Sequence, residues 1–385
     1  MPAAMSHLAA SVPKASIAPV SKRAILVAGG AGYIGSHFCH VAARRGFSPV
    51  VVDRIEPSTE RVAAYRRSIG RHFPLEVCDI ADEARVARLI EQHAPVAAVC
   101  FAALIEVGES VANPPLFWDN NYVRAMRFFR TLTRNGIRHL VFSSTAAVYD
   151  STTGARLLAE GGRLAPASPY GLTKLACELA LQGAGASHDV GSEVRFGPLA
   201  VDWPPLPALS AGRAPDVPPS SLVMRYFNAA GAEPAAGLGE VHEPESHLIP
   251  NALRAVLRAG RGGAALTVNG ADYPTEDGTC VRDYVHVLDL AEAHVAGLEY
   301  LLAGGRSDVV NLGSGSGYSI KQVMAAIEKA SGSKVPMRVG PRRPGDTARL
   351  VADVRKVRDL LGWQPSRNLD DIVASALEFH GRHGV

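Results

Sequence analysis

Residues 24–37 read AILVAGGAGYIGSH: an apolar, β-rich run that passes through Gly29-Gly30-Ala31-Gly32-Tyr33-Ile34-Gly35 into a helical period. Glycines suit this place because the turn is tight, and because a side chain would keep a pyrophosphate from the free N–H groups at the helix N-terminus. Asp53 closes the next apolar run, PVVVD, 18 residues after Gly35, where a carboxylate can accept hydrogen bonds from an adenosine ribose. Strand, glycine turn, helix and acid together predict a dinucleotide site rather than a tight turn alone. Asp53 would repel a 2′-phosphate and so favours NAD over NADP, whereas the adjacent Arg54 could meet such a phosphate or be a solvated charge. Asp79, after a third strand in VCDI, has two readings, a contact to the adenine amino group or a strand-end cap.

Outward from the turn, short β-rich runs alternate with helical periods: PLEV, PVAAVCF and HLVFSS are each followed by a helical pattern. Repeated strand and helix predicts an α/β fold, a Rossmann-like doubly wound parallel sheet covered on both faces, with a second, smaller α/β lobe for substrate. The expected organisation is a disordered tail over 1–22, an NAD-binding domain over 23–226, and a second lobe over 227–385, from which about 281–315 returns to the first sheet. Residues 183–220, rich in Pro, Gly, Ala and Ser, read as a long surface loop inserted in the first domain.

Composition sets outer limits. The chain has 385 residues and a net charge of +3, with no basic run suited to a phosphate backbone, so nucleic acid is not an expected partner. Its longest uncharged apolar stretch, 94–105, falls short of the roughly 18 residues of a membrane span. Five cysteines are scattered singly, which predicts reduced thiols and a cytoplasmic location rather than a disulfide framework.

A second motif carries chemistry. In ASPYGLTKLACEL, Ser168 is an expected N-cap and Pro169 the first helical residue, which puts Tyr170 and Lys174 one turn apart on one face. A phenol is a poor base at neutral pH, but a neighbouring ammonium, a helix N-terminus and a cationic nicotinamide all favour the tyrosinate. Ser143, Ser144 and Thr145 at the end of the HLVFSST strand are expected to hydrogen-bond the same substrate oxygen.

With these residues in view, the chain resembles the extended short-chain dehydrogenase/reductases, and within them the UDP-glucose 4-epimerase family. GGAGYIGSH, VGESV, DNNYV, SSTAAVY, SPYGLTK, RYFNAAGA, HLIPN, DYPTEDGTCVRDYVHVLDLA, NLGSGSGYS and RRPGD carry the resemblance from about Ala24 to the end. It implies NAD-dependent 4-epimerisation of a UDP-sugar by a cytoplasmic homodimer, with Tyr170 as base, Lys174 on the nicotinamide ribose and Thr145 on the 4-oxygen. It also implies a cofactor site of Gly29, Gly32, Tyr33, Ile34, Gly35, Asp53, Asp79, Ile80, Phe101, Ala102, Asn121, Ser143, Tyr170, Lys174 and Tyr226. The UDP moiety would be gripped by Asn228, His247, Leu248, Arg282, Arg343 and Asp346, beside Thr145. Departures from the family pattern stand at Ala28, Ile105, Asp150 and Asn269. UDP-galactose/UDP-glucose is the expected pair, ahead of UDP-xylose/UDP-arabinose and the N-acetyl sugars. A 4,6-dehydratase would carry Asp-Glu after the active-site threonine, where Ala146 and Ala147 stand; a non-catalytic NAD- and UDP-sugar-binding regulator is the alternative of another class.

Three signals point elsewhere and are set aside on sequence grounds. His242 to His247 (HEPESH) resembles a zinc-protease motif, but its histidines are five apart and Pro244 would break the helix, so no metal is expected. His37, Cys39 and His40 do not share one helix face. GSGSG (313–317) reads as a turn leading to a helix capped by Ser319 rather than as a second nucleotide site.

Overall fold

The computed structural model describes residues 23–55, 60–150, 155–183, 218–259, 265–342 and 346–383. The 1–22 tail, nearly all of the 183–220 segment and Arg343 lie outside them. Thirteen strands are described: β1 (Arg23–Ala28), β2 (Phe47–Asp53), β3 (Leu75–Val77), β4 (Ala97–Cys100), β5 (His139–Thr145), β6 (Ser220–Tyr226), β7 (Asn228–Ala230), β8 (Leu266–Asn269), β9 (Val281–His286), β10 (Asp308–Leu312), β11 (Gly317–Ser319), β12 (Met337–Gly340) and β13 (Arg349–Leu350). The helices are α1 (Tyr33–Arg44), α2 (Glu60–Ile69), α3 (Glu83–His93), α4 (Val107–Ala112), α5 (Pro114–Phe117), α6 (Arg124–Arg134), α7 (Pro169–Leu181), α8 (Leu248–Leu257), α9 (Val287–Leu302), α10 (Ile320–Ser331), α11 (Arg355–Leu361) and α12 (Leu369–His383).

Seven strands form one parallel sheet in the order β10-β6-β5-β4-β1-β2-β3. Side-chain alternation builds both of its cores: Ile25 and Val27 of β1 face one apolar cluster with Phe38 of α1 and Leu290 and Leu298 of α9, while Leu26 and Ala28 face another with Val86 of α3, Phe128 of α6 and Cys177 of α7. Strand order reverses between β1 and β4, the switch point at whose carboxyl ends such sheets bind ligands. From 281–315, β9 joins β7, β11 and β13 in a smaller sheet, whereas α9 packs on α1 and β10 forms the edge of the large one. A separate core of α8, α10 and α12, with Leu253, Ile327, Ile372 and Val373, holds the second lobe.

GSGSG serves this small sheet. Asp283 of β9 fills its turn, accepting hydrogen bonds from Ser314 N, Ser314 Oγ and Gly315 N at 2.6, 2.6 and 3.1 Å, and Ser319 then caps α10 in a reciprocal box with Gln322. No described helix is long and apolar enough to cross a membrane, and all five cysteines are buried and outside any disulfide.

Candidate active site

The turn between β1 and α1 is built to its steric limit. A Cβ on Gly29, whose φ is +76°, would stand 2.5 Å from Ala102 N, and one on Gly35 would stand 2.2 Å from Gly29 O, whereas a Cβ on Gly32 would meet nothing closer than 3.4 Å. Gly29 and Gly35 therefore let backbone pass backbone, and Gly32 leaves open the N-terminus of α1, which has no side-chain cap. Asp53, nearly buried, accepts a hydrogen bond from Ala31 N at 2.9 Å, so the acid is locked to the glycine turn itself. Burial raises its pKa, and Arg66, 3.9 Å away, opposes that shift. Arg54 faces Asn120 Oδ1 at 2.7 Å and Asp79 at 3.4 Å. It is thus committed to other partners than a ribose phosphate beside Asp53. Asp79 accepts from Ala81 N at 2.8 Å and is also paired with Arg124, so it caps its turn and balances two guanidinium groups. Ile80 beside it is buried.

Across the switch point, Phe101 and Ala102 both donate their N–H to Ala28 O, at 2.8 and 3.1 Å. Both bonds are made by the backbone of Ala28 and do not depend on its side chain. The Phe101 ring lies 4.9 Å from that of His294, a buried histidine held below its ordinary pKa by desolvation. Asn121, on the π-type segment Trp118–Val123, clamps the chain that follows β4, accepting from Leu104 N at 2.8 Å and donating to Leu104 O at 2.9 Å. Tyr33 donates its O–H to Gly231 O at 2.7 Å and so ties α1 to the chain after β7.

On the other side of the switch, β5 ends in Ser143-Ser144-Thr145. Period-two alternation splits the three serine/threonine hydroxyls, contrary to the expectation that all would serve one substrate oxygen. Ser143 Oγ lies 2.6 Å from Tyr226 OH on the next strand, and Thr145 hydrogen-bonds Tyr170, while Ser144 turns back to Glu178. Helix α7 begins as its sequence directs, with Ser168 Oγ accepting from Gly171 N at 3.2 Å and Pro169 in the first turn. Gly171 is a site residue that sequence reasoning missed. A Cβ there would stand 2.4 Å from Ala147 O, so only glycine lets α7 press Tyr170 against the turn that follows Thr145.

Tyr170 and Lys174 are both buried, at 7% and 2% exposure. Lys174 Nζ donates to Ser143 O at 2.9 Å and sits over the Phe142 ring, and burial lowers its pKa. Burial also pushes the Tyr170 phenol up, with the Tyr226 hydroxyl acting in the same direction and Thr145 opposing. Burial thus works against the tyrosinate, and the groups expected to favour it are Lys174, the N-terminus of α7 and a bound cationic nicotinamide together.

Behind this pair lies a network that no motif announced. Glu178, one turn beyond Lys174, accepts from Arg225 Nη2 at 2.6 Å and from Ser144; Arg225 Nη1 reaches Tyr149 OH at 3.0 Å, and Tyr149 donates to Asn311 at 2.6 Å. The ion pair is almost fully buried, with side-chain exposures of 3% and 1%. The spacing Tyr170, Lys174, Glu178 at four-residue steps was the available signal.

A cavity of about 2240 Å³ is lined by Ile105, Asn228, Leu248, Asn251, Arg282 and Asp346, among others. That is larger than the roughly 300–1,000 Å³ of a drug-sized pocket and suits an extended ligand. Arg282 Nη2 stands 3.4 Å from Asp346 Oδ1, and its Nη1 donates to Thr347 O at 2.8 Å. His247 lies on the wall, but its Nδ1 is engaged by Glu240 and Glu245. Asn269 lines the same cavity, and Ile105 is partly exposed on it. Asp150 is buried and pairs with Arg163 at 3.2 Å.

Residues 25–199 match the NAD dependent epimerase/dehydratase family, and residues 225–376 match GDP-mannose 4,6 dehydratase. The UDP-glucose 4-epimerase of Rhizobium leguminosarum bv. trifolii is 42% identical over 93% of this chain and 97% of its own. Among solved structures, the UDP-glucose-4-epimerase from Stenotrophomonas maltophila, with bound NAD and formylated UDP-arabinopyranose, superposes with a TM-score of 0.79 at 34% identity, covering 94% of this chain and 98% of that one. The enzyme from Bifidobacterium longum, in complex with NAD+ and UDP, gives 0.77 at 31% identity, covering 93% and 98%.

Proposed function

The chain belongs to the UDP-glucose 4-epimerase family and is an NAD-dependent UDP-sugar 4-epimerase, and from that premise we propose that UDP-galactose/UDP-glucose is its sugar pair and Tyr170 its acid and base. The observation that carries the reading of the site is the contact of Tyr170 with Thr145 at the carboxyl end of β5, two strands from the glycine turn on β1.

The residues around the turn suit NAD. Gly29, Gly32 and Gly35 would admit its pyrophosphate, Asp53 its adenosine ribose and Lys174 its nicotinamide ribose. When bound, NAD supplies a hydride acceptor that returns the same hydride, and a positive charge that favours the tyrosinate. Tyr170 then removes the proton from the sugar 4-hydroxyl as C4 gives up its hydride, and Thr145 holds the 4-oxygen. For the hydride to return on its other face the 4-keto sugar would have to turn over beside Thr145, and Tyr170 hands the proton back to the 4-oxygen. Asn228, Leu248, Arg282 and Asp346 keep the UDP portion in place during this rotation, with the cation on the pyrophosphate side. Arg343 has the same role by resemblance and lies outside the described residues. Ala146 and Ala147 offer no acid or base after Thr145, which speaks against dehydration. Incubating the protein with each sugar pair and reading the product ratio by NMR tests this reading; turnover of the pentose pair alone would overturn the hexose assignment.

Because the hydride returns in each cycle, the cofactor should purify with the protein. Acid extracts are expected to contain NAD rather than NADP, since Asp53 is seated at the turn and Arg54 is spent on Asp79 and Asn120. Mostly NADP in the extract would mean that the guanidinium groups of Arg54 and Arg66 set the preference. We assign the chain to the cytoplasm, in keeping with its reduced cysteines, and to a homodimer, which light scattering checks.

Leu350 bears on the sugar. It packs with Ala146, Val148 and Phe227 beside the turn after Thr145, and pairs in register with Arg282. A leucine there restricts the room for a 2-acetamido group. Plain UDP-hexose is expected to be preferred over the N-acetyl form, and Leu350→Ser to narrow the ratio of the two kcat/KM values; equal activity in the unmutated protein would contradict this.

A further inference from the structure

The chain between β7 and α8 gathers four side chains, of which Glu240, His242 and Glu245 have no part in the reaction and His247 stands on the wall of the large cavity. One ligand atom from each of Glu240, His242, Glu245 and His247 lies within 4.8 Å of all the others. His247 Nδ1 is 2.9 Å from Glu240 Oε1 and 3.1 Å from Glu245 Oε1; His242 Nδ1 is 3.4 Å from Glu240 Oε1 and 3.7 Å from Glu245 Oε2. For a tetrahedral ion with metal–ligand distances of about 2.0–2.2 Å, the ligand atoms stand roughly 3.3–3.6 Å apart. The four imidazole–carboxylate separations, which involve one oxygen of Glu240 and both oxygens of Glu245, bracket that edge length. Independently, His242 Nδ1 is buried and makes no hydrogen bond among the described residues, although two carboxylates lie beside it. Two carboxylates and two neutral imidazoles form a neutral set around a divalent cation.

We propose that Glu240, His242, Glu245 and His247 bind one divalent transition-metal ion of the zinc type, in a closed four-ligand site that fastens the start of α8 to the nucleotide-binding layer. Both ends of that fastening are anchored. Gly239 N donates to Tyr65 OH of α2 at 3.2 Å, and the His242 ring stands 6.4 Å from that of Tyr33 on α1. On the other side, Leu248 and Asn251 of α8 line the large cavity, and Pro244, Ser246 and His247 beside them offer an ion its way in. The sequence expectation of no metal rested on the helical form of the motif. Here the residues precede α8 instead of lying on it, and a loop needs no fixed histidine spacing to converge its ligands.

The test uses the whole enzyme, made without a histidine tag, stripped with chelator, and titrated with zinc against a chromophoric competitor. One saturable ion per chain is expected, with a rise in Tm on binding. His242→Gln and Glu245→Gln, neither of which lines the large cavity, should each weaken zinc binding more than about tenfold while bound NAD is retained. Zinc K-edge absorption of the unmutated protein should show nitrogen and oxygen ligands only. Absence of saturable binding, unchanged affinity in both variants, or sulfur in the zinc shell would each overturn the proposal, leaving these residues as an imidazolium–carboxylate cluster.

Discussion

Tyr170→Phe is expected to lower kcat by about 10²- to 10⁴-fold, the span of a lost general acid–base, with little effect on folding or on NAD content. The ring fills the same buried volume in both proteins, and only the hydroxyl that meets Thr145 is removed. Lys174→Ala should fall in the same range by a different route, because it removes an ammonium held to Ser143 O and not a group that exchanges the proton. A steady-state rate for a well-folded Tyr170→Phe within a few-fold of the unmutated enzyme would remove Tyr170 from the reaction.

The largest expected effect on stability lies one turn further along α7. Glu178→Ala leaves the Arg225 guanidinium buried without its carboxylate, and breaking such a pair from one side costs about 3–5 kcal/mol. Burial alone would lower the pKa of Arg225; the Glu178 carboxylate overrides this and raises it. Solvent does not screen the interaction, since both side chains are almost fully buried. Chemical denaturation measures the loss directly. The double variant Glu178→Leu with Arg225→Met should recover much of it, because two apolar groups of similar volume leave no charge stranded. A loss below about 1 kcal/mol for Glu178→Ala would show that water or another group reaches Arg225.

The large sheet and its dinucleotide turn are legible in the sequence because each rests on local rules. Ile25 to Ala28 must be apolar on both sides, Gly29 and Gly35 must lack side chains, and Asp53 must close the next strand; all of this occurs within 30 residues. Tyr170 and Lys174 are legible for the same reason, since a cap and a helical spacing put them on one face. What the sequence does not express depends on direction or distance in space. Ser144 reads like its neighbours until strand alternation turns it toward Glu178. The shift of the Tyr170 phenol depends on burial by the whole fold, which a four-residue spacing cannot express. Arg225 and Glu178 meet across 47 residues, many of them in the stretch between α7 and β6. The convergence of the HEPESH histidines with Glu240 follows from how the chain enters α8, which a helical spacing template does not express.

The central claim, hydride removal from and return to the same sugar carbon, is tested by turning over UDP-[4-²H]galactose in ordinary water and following C4 by NMR. The deuterium should appear at C4 of UDP-glucose undiminished, because it travels as a hydride that never exchanges with solvent. Replacement of that deuterium by solvent hydrogen in the product, at a rate matching turnover, would contradict the account, because C4 would then be inverted by proton exchange and not by hydride return.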